Sequence, residues 1–193
     1  MQEKYNINLK TTQMKRFILI LICSFFANGI YSQIRFNDQW SLGISGGYIV
    51  KDGYNISLET EKILGNSPHS IETKLMFQSK GYTTDTKIPE DFTVRNYLIN
   101  VNYIYTFERL LFNHIHIGLC LGAVGGYETL KSSSETVVLP ASDKMVYGGS
   151  AGVKLEYSFA RNISIYIKPN IMYTSSDFKN FTFSPLVGIK YYL

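Results

Sequence analysis

The chain has 193 residues, enough for one domain, with 45% hydrophobic residues, a mean hydropathy near zero and a formal charge of +4. Those values exclude a helical membrane protein and a disordered chain alike. Aromatics reach 15%, with 15 Tyr, 12 Phe and a single Trp; a surplus of Tyr suits a membrane–water boundary, because the ring is apolar and the hydroxyl is wet.

The first element is a leader. Met14-Lys15-Arg16 precedes the apolar run from Phe17 to Ile30, and small and polar residues follow before Gln33, the layout of a secretory signal peptide. The run is shorter than the ~20 residues that a spanning helix needs. Cleavage is expected between Ser32 and Gln33, so residues 1–32 form an N-terminal extension and signal peptide and 33–193 form the barrel domain. Translation from Met14 and cleavage after Gly29 are the alternatives. Ile22 before Cys23 argues against a lipobox, which wants a small residue there. Removing the leader takes away four of the 19 basic residues and one of the 15 acidic ones, leaving a net charge of about +1. The apparent basicity is mostly leader, and it gives no argument for nucleic-acid binding. Cys120 is then the one cysteine left, so no intramolecular disulfide can form.

Downstream the repeating signal has period two, the signature of strands. Trp40, Leu42, Ile44, Gly46, Tyr48 and Val50 share one phase, and Tyr54, Ile56 and Leu58 alternate with Asn55, Ser57 and Glu59. Ile71, Thr73, Leu75 and Phe77 oppose Ser70, Glu72, Lys74, Met76 and Gln78. The fourth segment sets Tyr97, Ile99, Val101, Tyr103 and Tyr105 against Asn96, Leu98, Asn100, Asn102 and Ile104. In the fifth, Ile115, Ile117, Leu119 and Leu121 oppose His114, His116, Gly118, Cys120 and Gly122. Ala151, Val153, Leu155 and Tyr157 lead the sixth; Ile163, Ile165, Ile167 and Ile171 the seventh; Phe183, Val187, Ile189, Tyr191 and Leu193 the eighth. Such dyad-patterned segments of ~10 residues, separated by turns, predict an all-β, eight-stranded antiparallel up-and-down transmembrane β-barrel of the bacterial outer membrane.

Alternation alone does not say which phase faces out, since a lipocalin-like barrel turns its apolar phase inward. The other phase is rich in Gly, Ser and Asn with charges of both signs (Glu59, Glu72, Lys74, Lys154, Glu156, Lys168, Lys190), which suits a hydrogen-bonded interior surrounded by lipid. Short connections are expected at 65–68, near 108–113 and at 160–162. Longer ones are expected at 82–91 and 128–143, the second a plausible contact loop, with 175–180 intermediate. Lys51-Asp52-Gly53 is a tight hairpin signal.

Chemistry is sparse. His114 and His116 share a face but lack a Cys or carboxylate partner at metal-site spacing, His69 stands apart, and no Ser/His set is singled out. Gly125-Gly126 and Gly148-Gly149-Ser150 open no helix, so a phosphate loop is not expected. No catalytic, cofactor-binding or metal residues are expected, nor a small-molecule substrate.

The run Leu42-Gly43-Ile44-Ser45-Gly46-Gly47, the stretch from Gly118 to Thr129 with Gly126-Tyr127-Glu128-Thr129 at its end, the piece Tyr147-Gly148-Gly149-Ser150-Ala151-Gly152 and the closing Ser184 to Leu193 together carry a family likeness. The sequence resembles TraO, the conjugative-transposon protein family of Bacteroidetes, over most of the mature chain, although it ends in Leu193 where the family tends to end in Phe. The resemblance implies a non-enzymatic outer-membrane component of a mating apparatus, a structural or docking element in contact with outer-membrane lipid and other conjugation-apparatus proteins, without direct contact to nucleic acid. The alternatives are a general OmpX/OmpA-like surface barrel for adhesion or envelope integrity, and a lipid-modifying barrel enzyme.

Overall fold

The computed structural model describes residues 38–50, 53–65, 68–83, 91–111, 115–132 and 143–193. The expected leader and its cleavage site lie outside the described residues, as does His114. Eight strands run in chain order: β1 (Trp40–Ile49), β2 (Gly53–Ile63), β3 (His69–Thr83), β4 (Asp91–Leu111), β5 (Ile115–Ser132), β6 (Asp143–Ala160), β7 (Ile163–Thr174) and β8 (Phe181–Tyr192). Each pairs antiparallel with its sequence neighbours, and β8 closes on β1. Closure leaves no sheet edge along the wall, which is what lets strands satisfy their backbone groups in lipid.

The apolar phase faces out. Leu42, Ile44, Leu58, Ile99, Leu121, Ile167 and Val187 are each about half exposed, whereas Ser45, Glu59, Lys74, Asn100, Lys154 and Ser184 are buried. The lipocalin-like inversion is thereby excluded, and the eight strands keep the phases read from the sequence. The stagger is that of a tilted barrel. Crossing the register from Ser41 through Glu61, Glu72, Asn102, Gly122, Ser150 and Met172 leads to Thr182. Its neighbour Phe183 accepts the Val50 N–H (3.2 Å), at the far end of β1 from Ser41.

At one rim β1 begins, β8 ends and the strand pairs β2–β3, β4–β5 and β6–β7 are joined; at the opposite, loop rim β1–β2, β3–β4, β5–β6 and β7–β8 are joined. The strand limits correct two expected loops. β5 continues through Glu128 to Ser132, and β4 continues to Leu111 with a register irregularity after Phe107. At the loop rim β3 runs on past Gly53, where β2 begins, and β6 starts before its first pairing with β7 at Gly148. The wall β3–β6 therefore stands higher than the rest.

Outward aromatics mark both rims. Near the loops, Tyr54, Phe77 and Tyr97 are linked by ring contacts of 6.1 and 5.3 Å, Tyr97 faces Tyr127 in register, and Tyr173 lies 5.0 Å from Phe181. Near the termini stand Trp40, Tyr105, Phe107 and Tyr191, with His69 against Tyr103 and Tyr105. Two such girdles around an apolar band are the mark of a barrel that spans a bilayer.

Candidate functional site

The lumen is the most specialised part of the molecule. Strands β2 and β3 contribute Glu59, Glu61, Glu72 and Lys74; β6, β7 and β8 contribute Lys154, Glu156, Lys168 and Lys190, all at most 4% exposed. Period two places them inward, and the tilt brings residues far apart in sequence to one level. Lys168 Nζ reaches Glu72 at 2.7 Å, and Lys74 lies 3.1 Å from Glu59 and 3.5 Å from Glu72. Lys154 sits 2.8 Å from Glu61 and 3.0 Å from Glu156. Lys190 pairs with Glu61 and approaches Glu72 at 3.5 Å. Four carboxylates thus meet four ammonium groups without net charge.

Neutral donors add to the ion pairs at these carboxylates, although Oε2 of Glu59 and of Glu72 accepts no hydrogen bond among the described residues. Ser70 donates to Glu61, Ser164 to Glu156 and Asn102 to Glu72 at 2.5, 2.8 and 3.0 Å. The Tyr166 and Tyr192 hydroxyls donate to Glu59 and Glu156. Tyr166 lies flat over Gly188, its register partner on β8, where a Cβ would stand 2.4 Å from the ring. Its face also receives Lys190 and Lys74 at 5.0 and 5.6 Å from the centroid, a favourable cation–π placement.

Toward the loops the filling changes. Ser150 donates to Asn102 at 2.8 Å and accepts from Asn100 at 3.1 Å. Beyond them Met76, Leu98, Val124, Val146 and Met172 form a buried apolar cluster. At the mouth Tyr82, Phe92 and Phe178 pack with centroids 5.4–6.0 Å apart. The 175–180 connection is pinned over the mouth: Ser176 donates to the buried Glu128 (2.8 Å), and Lys144 pairs with Asp177 (2.6 Å). Buried side chains occupy the described interior from Ser41 and Tyr192 at one end to Val94 and Thr174 at the other. An eight-stranded barrel is just wide enough for its own side chains, so this lumen offers no route for a polymer.

The two described histidines do not converge. His69 is on the outer face, its Nδ1 hydrogen-bonded to the Tyr103 hydroxyl, while His116 is on the inward phase opposite Glu156. Among the described residues no group of three His, Cys, Asp or Glu could hold a metal ion. Cys120 is buried in the wall of the lumen. Glu128, expected at the edge of a contact loop, is instead inside the barrel. Glu61, beyond the segment taken as β2 in the sequence, continues the same inward alternation two residues past Glu59.

The fold is shared with outer-membrane barrels. A major outer membrane protein from Thermus thermophilus matches with a TM-score of 0.65 at 10% identity, over 80% of this chain and 99% of that one. The N-terminal β-barrel domain of Pseudomonas aeruginosa OprF gives 0.53 at 11% identity, over 81% and 98%. Ail, the attachment invasion locus protein of Yersinia pestis, gives 0.53 at 12% identity, over 82% and 100%. At such identities the likeness is one of fold. No curated protein matches the sequence. The family model of the conjugative transposon protein TraO matches residues 49–193, from the end of β1 to the last residue, and the chain belongs to that family.

Proposed function

We propose that this protein is a non-enzymatic component of the transfer (mating) apparatus of a conjugative transposon, seated in the bacterial outer membrane as a structural or docking element. Membership of the TraO family supports the link to transfer. The outward apolar band between two aromatic girdles supports the membrane seat. The observation that carries the docking role is the filled lumen: its buried charge network and apolar cluster make the barrel a plug rather than a duct. Any contribution to transfer then runs through its rims, where other apparatus proteins would bind, and not through contact with DNA. Residues 1–32 serve as extension and cleaved signal peptide in this reading, and the mature chain begins at Gln33.

The test is transfer frequency from a donor with an in-frame deletion of the gene, beside a complemented control. A steep loss restored by complementation is expected, and unchanged transfer would remove the proposal while leaving the barrel intact. Fractionation should place the protein in the outer membrane, and intact mass should give Gln33 as its first residue. A second reading, a surface barrel for adhesion or envelope integrity, draws on the shared fold with Ail, described as an attachment invasion locus protein; it predicts unchanged transfer and altered adhesion in the deletion strain.

A further inference from the structure

The outward face is almost free of charge. Among strand residues with described side chains, only Lys62 and Arg95 are basic on the outward phase, one at each rim. Lys62 lies over the Trp40 ring at the termini rim, 5.2 Å from its centroid. Its register partner on β3 is Ile71, while Arg95 pairs with Ser79 of the same strand. The eight residue steps of β3 from Ile71 to Ser79 correspond to a height of roughly 20 Å at a strand tilt of ~40°, before the stagger of the rows is added. That approaches the ~25 Å apolar band of such barrels. The two cations therefore bracket the band.

Arg95 differs from Lys62 in having no side-chain partner among the described residues. Its Nε is shut off from water without a hydrogen-bond acceptor there. It sits in a row between the hydroxyl residues Ser79 on β3 and Thr129 on β5, one step above Tyr97 of the girdle. The nearest acid in that row, Asp143, is a further strand away beyond Thr129. A guanidinium holds a phosphate through two parallel hydrogen bonds; the Ser79 hydroxyl on one side can take a remaining oxygen, while the Thr129 hydroxyl on the other donates to the Arg95 carbonyl at 3.5 Å. Arg95 stands at the height where a bilayer presents its headgroups.

We propose that Arg95, between Ser79 and Thr129, binds the phosphate of a lipid in the leaflet on the loop side. The proposal rests on the membrane seat argued above. A cation at this level contributes enough to change occupancy about fivefold.

The barrel, purified from membranes in a neutral detergent, is mixed with diphosphoryl lipid A, and bound lipid is counted by native mass spectrometry. Wild type should carry one lipid, Arg95→Gln should lower the bound fraction about fivefold, Arg95→Lys should lie between, and Lys62→Gln should match wild type. Lipid A stripped of phosphate should bind no better to wild type than to Arg95→Gln. Millimolar inorganic phosphate should not displace the lipid; displacement would mean a site for free phosphate and would overturn the lipid assignment. Equal binding by wild type and Arg95→Gln, both heat-modifiable on gels as folded barrels, overturns the phosphate site alone. A wild-type chain that stays water-soluble and never enters detergent micelles removes the membrane seat, and this proposal with it.

Discussion

Lys168 on β7 and Glu72 on β3, separated by 96 residues in the chain, meet across the lumen at 2.7 Å. Glu72 also receives Asn102 and stands 3.5 Å from both Lys74 and Lys190. One carboxylate thereby ties β3 to β4, β7 and β8. Desolvating so many charges is costly, and the network stabilises the barrel only while each charge keeps its partners.

Glu72→Gln should therefore destabilise the barrel by about 3–5 kcal/mol, since it strands buried ammonium groups. Urea titration in micelles checks this, with the single Trp40 at the termini rim as fluorescence reporter. Lys168→Met combined with Glu72→Gln should cost less than the two single changes added together. Strict additivity would show that the pair is not coupled.

Glycine substitutions should divide by face. At Gly188 a Cβ meets the Tyr166 ring at 2.4 Å, whereas at Gly125 it meets nothing within 4 Å. Gly188→Ala should lose about 1–3 kcal/mol through overpacking, and Gly125→Ala should stay within about 0.5 kcal/mol of wild type. Equal midpoints for the two variants would contradict the placement of Tyr166.

Charge on the band should be felt by depth. Leu121 projects outward near mid-band and is 65% exposed, so Leu121→Arg should cost about 2–4 kcal/mol in a bilayer. Thr129→Arg, level with the loop rim, should cost about 0–1 kcal/mol. Folding titrations into lipid vesicles make the comparison; a harmless Leu121→Arg would mean that this face does not meet lipid.

The filled lumen predicts electrical silence. In planar bilayers the purified barrel should give no stepwise conductance, and vesicles carrying it should admit small sugars no faster than empty ones. Stable porin-sized steps would show that the interior packing opens, and would reopen the question of a conduit.

Which face each residue takes was legible in the sequence, because one face meets lipid and the other a crowded polar interior, and a slip of one residue would exchange them. Strand ends were harder to read. Glu128, Thr129 and Leu130 look like loop because above the apolar band a strand has no need of an apolar outward phase. Lumen partners were hidden for a different reason: Lys154 and Glu61 lie 93 residues apart, Lys190 and Glu61 129, and only tilt and stagger decide which inward residues share a level. Nothing in the alternation singles out Arg95, because period two gives the face of a residue and not its height in a bilayer.

Lys190 comes from the last strand, and Glu61 and Glu72, laid down near the start, both wait for it. Until β8 docks against β1, those two acids lack one of their counter-ions. A barrel zipped up one residue out of register would turn Lys190 toward the lipid. The network thus acts as proofreading of assembly: it rewards only the closure in which the final strand arrives complete and correctly aligned.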